Sequence, residues 1–134
     1  MKKILVILLV LPLLFLCGFK RKEKPYLILS SDAITTQNLK FIERKFLKGQ
    51  RINYAIVAPD MFKDNGIRLQ LVSQNSKTSN WGFTIEQTED IFIDKTQKIY
   101  RNYIVPSKSG HYILQFFYVS SKRYPFAHIE FVVE

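Results

Sequence analysis

The chain has 134 residues, 47% of them hydrophobic and 14% aromatic, and carries a formal charge of +9. That length suits one domain with a real core and excludes two. The single cysteine, Cys17, excludes a disulfide staple and a thiolate metal cluster, so stability must come from apolar burial, to which 11 Phe and 7 Tyr contribute large areas.

The chain opens Met1-Lys2-Lys3 and continues as an unbroken apolar run, Ile4–Leu16. As a helix that run covers roughly 20 Å, short of the ~30 Å of hydrocarbon that a spanning helix must cross. Its length and charged start predict an export signal over residues 1–16. The end of the run, Leu14-Phe15-Leu16-Cys17-Gly18, resembles the lipobox of bacterial lipoproteins. The resemblance implies cleavage before Cys17 and a lipid thioether on its sulfur. Leu16 departs from the pattern, which takes Gly, Ala or Ser at that position. Three readings stay open: lipidation of Cys17, an uncleaved single-pass anchor, or a cleaved signal with an incidental cysteine. The cluster Lys20-Arg21-Lys22-Glu23-Lys24 also leaves an inverted topology open, because positive charge tends to stay cytoplasmic.

Residues 17–25 are expected to be the lipidated cysteine and a basic tether. Lys20, Arg21, Lys22 and Lys24 would contact anionic headgroups there, at about 1 kcal/mol per charge. Residues 25–134 hold 14 Lys/Arg against 10 Asp/Glu. The charge excess therefore lies beside the membrane, which argues for a membrane partner and against nucleic acid.

Residues 26–134 alternate apolar and polar side chains with the period of strands. Tyr26–Ser30 is a first strand, and Leu39–Leu47 fits a short helix or a strand. Arg51–Ala58 places Ile52, Tyr54 and Ile56 on one face. Asp64-Asn65-Gly66 is a turn; Ile67–Ser73 then sends Ile67, Leu69 and Leu71 inward. Gln74–Asn80 reads as a polar loop, and Gly82–Glu86 and Ile91–Ile93 as short strands around an acidic loop. Lys98–Val105 places Ile99, Tyr103 and Val105 on one face. His111–Val119 is apolar on both faces, as a central strand would be. Phe126–Val133 closes the domain with Ala127, Ile129, Phe131 and Val133 inward.

This pattern predicts an all-β antiparallel sandwich of about 7–9 strands. The segments Phe46–Ile52, Ile67–Leu71 and Val105–Leu114 resemble the immunoglobulin-like and jelly-roll modules of bacterial surface proteins, in which a Pro-x-x-x-Gly-x-Tyr turn introduces a central strand. The likeness implies fold and an exported location, not a particular function.

Candidate sites are few. His111 and His128 are the only histidines; a hairpin centred near residues 122–123 places them roughly 20 Å apart, too far to share a metal. Glu86, Glu89, Asp90 and Asp94 form the densest acidic patch but lack the Gly turn of a calcium loop, and Met61-Phe62-Lys63 interrupts Asp60, Asp64 and Asn65. Neither a metal nor a cofactor is expected. No G-x-S-x-G elbow supports a catalytic serine. Of the rings Trp81, Tyr100, Tyr103, Tyr118 and Tyr124, most are expected in the core, with Trp81 as the partner-facing exception.

The resulting expectation is an exported, membrane-anchored, non-catalytic binding or assembly module facing the periplasm or cell surface. Its partner would be an envelope protein or glycan. The alternatives are a small envelope hydrolase or glycan-processing enzyme, which needs a histidine, a serine and a carboxylate to converge, and a structural subunit of a surface assembly, which needs an unpaired edge strand at Tyr26–Ser30 or Phe126–Val133.

Overall fold

The computed structural model describes residues 21–74 and 82–134. The export segment, Cys17, Lys20, Trp81 and most of the polar loop before Trp81 lie outside the described residues. Among those described are eight strands and no helix: β1 (Tyr26–Ser30), β2 (Lys45–Phe46), β3 (Ile52–Val57), β4 (Gly66–Gln74), β5 (Phe83–Phe92), β6 (Ile99–Ile104), β7 (Gly110–Tyr118) and β8 (Ala127–Val133).

They form a small sheet ordered β1-β3-β6 and a large sheet ordered β2-β8-β7-β4-β5. The chain changes sheet five times, between β1 and β2, β2 and β3, β3 and β4, β5 and β6, and β6 and β7, the crossing pattern of a Greek-key, immunoglobulin-like sandwich. All pairings are antiparallel except β2 with β8. The parallel pair arises where the chain switches sheets. Glu43 donates its N–H to the Leu29 carbonyl on β1 at 2.9 Å, and the next residue, Arg44, accepts from Val132 N–H on β8 at 2.8 Å. One residue step therefore carries the chain from the small sheet to the large one. β8 lies between β2 and β7, so only β1 of the two expected edges is an edge strand.

Period-2 alternation places the core. Leu27, Leu29, Ile52, Tyr54, Ile56 and Ile104 point from the small sheet into Ile67, Leu69, Leu71, Leu114, Phe116, Ile129, Phe131 and Val133 from the large one. Aromatic rings fix the layers: Tyr54 meets Phe116 at 5.4 Å between centroids, and Phe46 meets Phe131 edge-on at 5.9 Å.

Three local expectations are corrected. The acidic run is not a loop: β5 is one strand of ten residues. Glu89 and Asp90 pair with Leu69 and Arg68 of β4, and an edge strand solvated on both faces tolerates carboxylates. In β6 the inward face is Tyr100 and Ile104, whereas Tyr103 and Val105 are 47% and 51% exposed. The pairing of Ile104 with Ile52 and of Tyr100 with Ile56 sets that parity. Within Leu39–Leu47 only Lys45–Phe46 is regular. The segment before it covers the outer face of the small sheet, where Ile34 packs on Ile28, Ala55 and Val57, with Leu39 and Ile99 against them.

Candidate functional site

The two ends of the sandwich differ. At one end the chain enters at Tyr26, which pairs with Val57. Here Glu23 donates its N–H to the Asp60 carboxylate at 2.6 Å, and Phe62 meets Phe126 edge-on at 6.5 Å, closing the layers. Arg21, Lys22 and Lys24 are exposed just before this point. At the other end the sheets are joined by Lys48 N–H to the Glu134 carbonyl at 2.9 Å and Gly49 N–H to the Pro106 carbonyl at 3.0 Å. Strand length separates the ends by roughly 20–30 Å.

The outer face of the large sheet is graded along that axis. Register places Val132, His111, Gln74 and Phe83 in the row at the far end, then Glu130, Ile113, Val72 and Ile85. The next row is His128, Gln115, Gln70 and Thr88, in which Gln115 Nε2 donates to Gln70 Oε1 at 3.1 Å. Nearest the tether, Arg68 binds Asp90 through two bonds of 2.7 and 2.8 Å. The far corner holds an open depression of about 520 Å³, lined by Arg44, Lys45, Gln74, Phe83, His111, Tyr112, Ile113, Glu130, Phe131 and Val132. Arg44 forms part of its wall because its guanidinium donates to the Glu130 carbonyl at 3.2 Å. An apolar floor with a cationic and acidic rim is the composition of a recognition site.

The remaining candidates are placed as follows. His111 and His128 both lie on this outer face, opposite Val132 and Gln115. They are four residue steps apart along the strands, about 13 Å, nearer than the sequence suggested but too far for zinc bonds of ~2 Å. Ser73, next to the Gln74 that pairs with His111, turns to the inner face and donates to Glu86 at 2.6 Å. No set of three or more metal-ligating side chains occurs among the described residues. Most of the acids are engaged locally. Hydrogen bonding from Arg68 holds the Asp90 carboxyl below its usual range, with the charge of that guanidinium adding to the effect. The Thr96 amide, 2.9 Å away, and the Thr96 hydroxyl do the same for Asp94, and bonds from the Ser120 hydroxyl and the Asn65 amide do so for Asp64.

Of the four described rings, two join the core and two are exposed. Tyr118 is buried, its hydroxyl accepting Lys63 N–H at 3.1 Å, and Tyr100 packs against the core; Tyr103 and Tyr124 are exposed. The far depression was missed in the sequence. Its signal was the out-facing apolar pair Ile113 and Val132 on otherwise alternating strands.

No protein-family model matches the chain, and no curated protein matches it. Among solved structures it is similar to the soluble domain of PmoD from Methylocystis sp., with a TM-score of 0.51 and 12% identity over 82% of this chain and 90% of that one. That likeness speaks to the sandwich fold alone. An immunoglobulin-like protein from Pseudomonas aeruginosa matches at a TM-score of 0.46 and 9% identity, covering 85% of this chain and 99% of that one. A β-glucosidase from Kluyveromyces marxianus matches at 0.42 and 15% identity; 82% of this chain covers 14% of the enzyme. Neither of these two carries a functional argument.

Proposed function

We propose that the chain is a membrane-tethered, non-catalytic binding module of the bacterial envelope, exported by residues 1–16 and anchored through a lipid on Cys17. In this reading Lys20, Arg21, Lys22 and Lys24 hold the tether against anionic headgroups. The partner, an envelope protein or glycan, docks at the far corner of the large sheet. The supporting observation is polarity: the chain enters the sandwich at Tyr26, whereas the depression around His111 and Ile113 lies at the opposite end. A tether confines such a surface near the membrane and raises its effective concentration there. Trp81, between Gln74 and Phe83 in the sequence, is in this reading the partner-facing ring.

Metabolic labelling with an alkyne fatty acid tests the anchor. Label is expected on the wild type and absent from Cys17→Ala, with the variant leaving the membrane fraction. Equal labelling of both removes the lipid anchor. For the surface, a photo-crosslinker placed at Ile113 is expected to trap an envelope component that the same crosslinker at Lys95, near the tether end, does not. Identical products from both positions remove the assignment of the far corner.

A further inference from the structure

The outer face of the small sheet holds a second hollow, independent of the depression on the large sheet. β3 and β6 pair so that Asn53 lies opposite Tyr103 and Ala55 opposite Arg101. Arg51, two residues before Asn53, falls on the same face. Its guanidinium carbon sits 4.0 Å from the Tyr103 ring centroid, and its Nε donates to Asn53 Oδ1 at 3.1 Å. The Asn53 amide nitrogen donates in turn to the carbonyls of Ser31 at 3.3 Å and Asp32 at 3.0 Å. One asparagine thus fixes both the arginine and the chain segment that walls the site. A hollow of about 300 Å³ opens between the two arginines and the wall of Ala33 and Ile34, with Ile34 packed over the buried Ala55.

The charges in this hollow are unbalanced. No carboxylate is among its lining residues. The only ion pair among the described residues, Arg68 with Asp90, is on the other sheet. Arg51 uses Nε and one face of its guanidinium plane for positioning, which leaves its terminal nitrogens to donate. A planar guanidinium held in this way matches the oxygens of a phosphate group in a bidentate fashion, and a second arginine on the adjacent strand supplies further donors. The apolar wall lowers the local dielectric and strengthens such bonds.

We propose that this hollow is a phosphate-binding site in which Arg51 and Arg101 grip one phosphate group, borne either by a soluble phosphoester or by a lipid headgroup. Tyr103 and Asn53 are positioning residues for Arg51. The site stands apart from the docking corner and does not depend on it.

The test uses the full chain in neutral detergent, with inorganic phosphate, glycerol 3-phosphate and phosphatidylglycerol mixed into the detergent micelles as probes, and with sodium chloride at matched ionic strength and phosphatidylcholine in the micelles as controls. At ten times its dissociation constant, a ligand that binds only the folded state raises the melting temperature of a domain this size by about 5 °C. Such a rise is expected with phosphate and not with chloride. Arg51→Gln and Arg101→Gln, both at exposed positions, are each expected to weaken binding at least tenfold while leaving the melting temperature without ligand unchanged. A rise with glycerol 3-phosphate assigns a soluble ester; a rise in melting temperature with micellar phosphatidylglycerol that the double variant loses, without a response to the soluble probes, assigns a headgroup. Two results overturn the proposal: no response to any probe beyond that of its control, or a response that the double variant retains.

Discussion

Tyr112 donates its hydroxyl to the carbonyl of Lys108, four residues upstream, at 2.7 Å. The same ring is stacked on Phe131 at 5.5 Å and an interplanar angle of 15°. A tyrosine at the start of a central strand, tied back to its own incoming chain, is the corner that recurs in immunoglobulin-like sandwiches. Here it fixes how the chain leaves β6 and turns through Gly110, whose φ of 149° belongs to glycine. Tyr112→Phe keeps the stack and removes only the bond. It is expected to cost about 1 kcal/mol, read as a lower urea midpoint at unchanged slope. Tyr112→Ala also removes the ring and is expected to cost about 3–5 kcal/mol.

That corner shows what was legible in the sequence. The spacing from Pro106 to Gly110 and Tyr112 announced the turn, and the alternation of Ile67, Leu69 and Leu71 or of Ile129, Phe131 and Val133 announced their strands, because each such strand has one wet face. Reading failed where both faces carried apolar side chains. In β6, Ile99 and Tyr103 compete with Tyr100 and Ile104, and only pairing with β3 decides between them. It failed again on β5, whose carboxylates look like a loop until an edge position solvates them. Neither hollow was visible, since each depends on rows assembled from three or more separate segments.

Tyr54 is 1% exposed, and its phenol titrates well above the ordinary 10.0 because burial disfavours the phenolate, with Tyr100 and Glu89 adding to the effect. A folded-state value above the unfolded one means that the unfolded chain loses the proton first as pH rises. The stabilisation is complete below about pH 10 and is lost above it, at about 1.4 kcal/mol per pH unit. Urea midpoints measured at pH 9 and pH 11 are expected to fall more steeply for the wild type than for Tyr54→Phe, which has no proton to lose there.

Ile34 belongs to no strand, yet it is 7% exposed against Ile28, Ala55 and Val57. If residues 31–42 were only a connection, truncating it would be neutral. As the cover of a second small core, Ile34→Ala is expected to cost about 2–3 kcal/mol. It should also speed hydrogen exchange at the Glu43 amide, which bonds the Leu29 carbonyl, while the amides of β7 stay protected up to the global unfolding limit.

The free edge of β5 raises the question of why the domain does not extend itself strand by strand. Ten residues long, β5 exposes Phe83, Ile85 and Phe92, a composition that invites pairing with another copy. Two features oppose this: a register shift between Leu71 and Val72 that bends the strand, and its carboxylates. Glu86 is bound to Ser73 and Asp90 to Arg68, so replacing either disturbs a bond as well as a charge. Glu89 is the cleaner probe, because its charge is felt at Tyr54 while its carboxylate makes no side-chain bond among the described residues. Glu89→Val is expected to leave the urea midpoint within about 0.5 kcal/mol of the wild type yet to produce oligomers in sedimentation at concentrations where the wild type stays monomeric, the charge being what blocks the edge. The same variant removes one of the influences that raise the Tyr54 phenol, so its alkaline loss of stability should be shallower than that of the wild type. Oligomers without that change at high pH would show that Glu89 guards the edge but does not face the tyrosine.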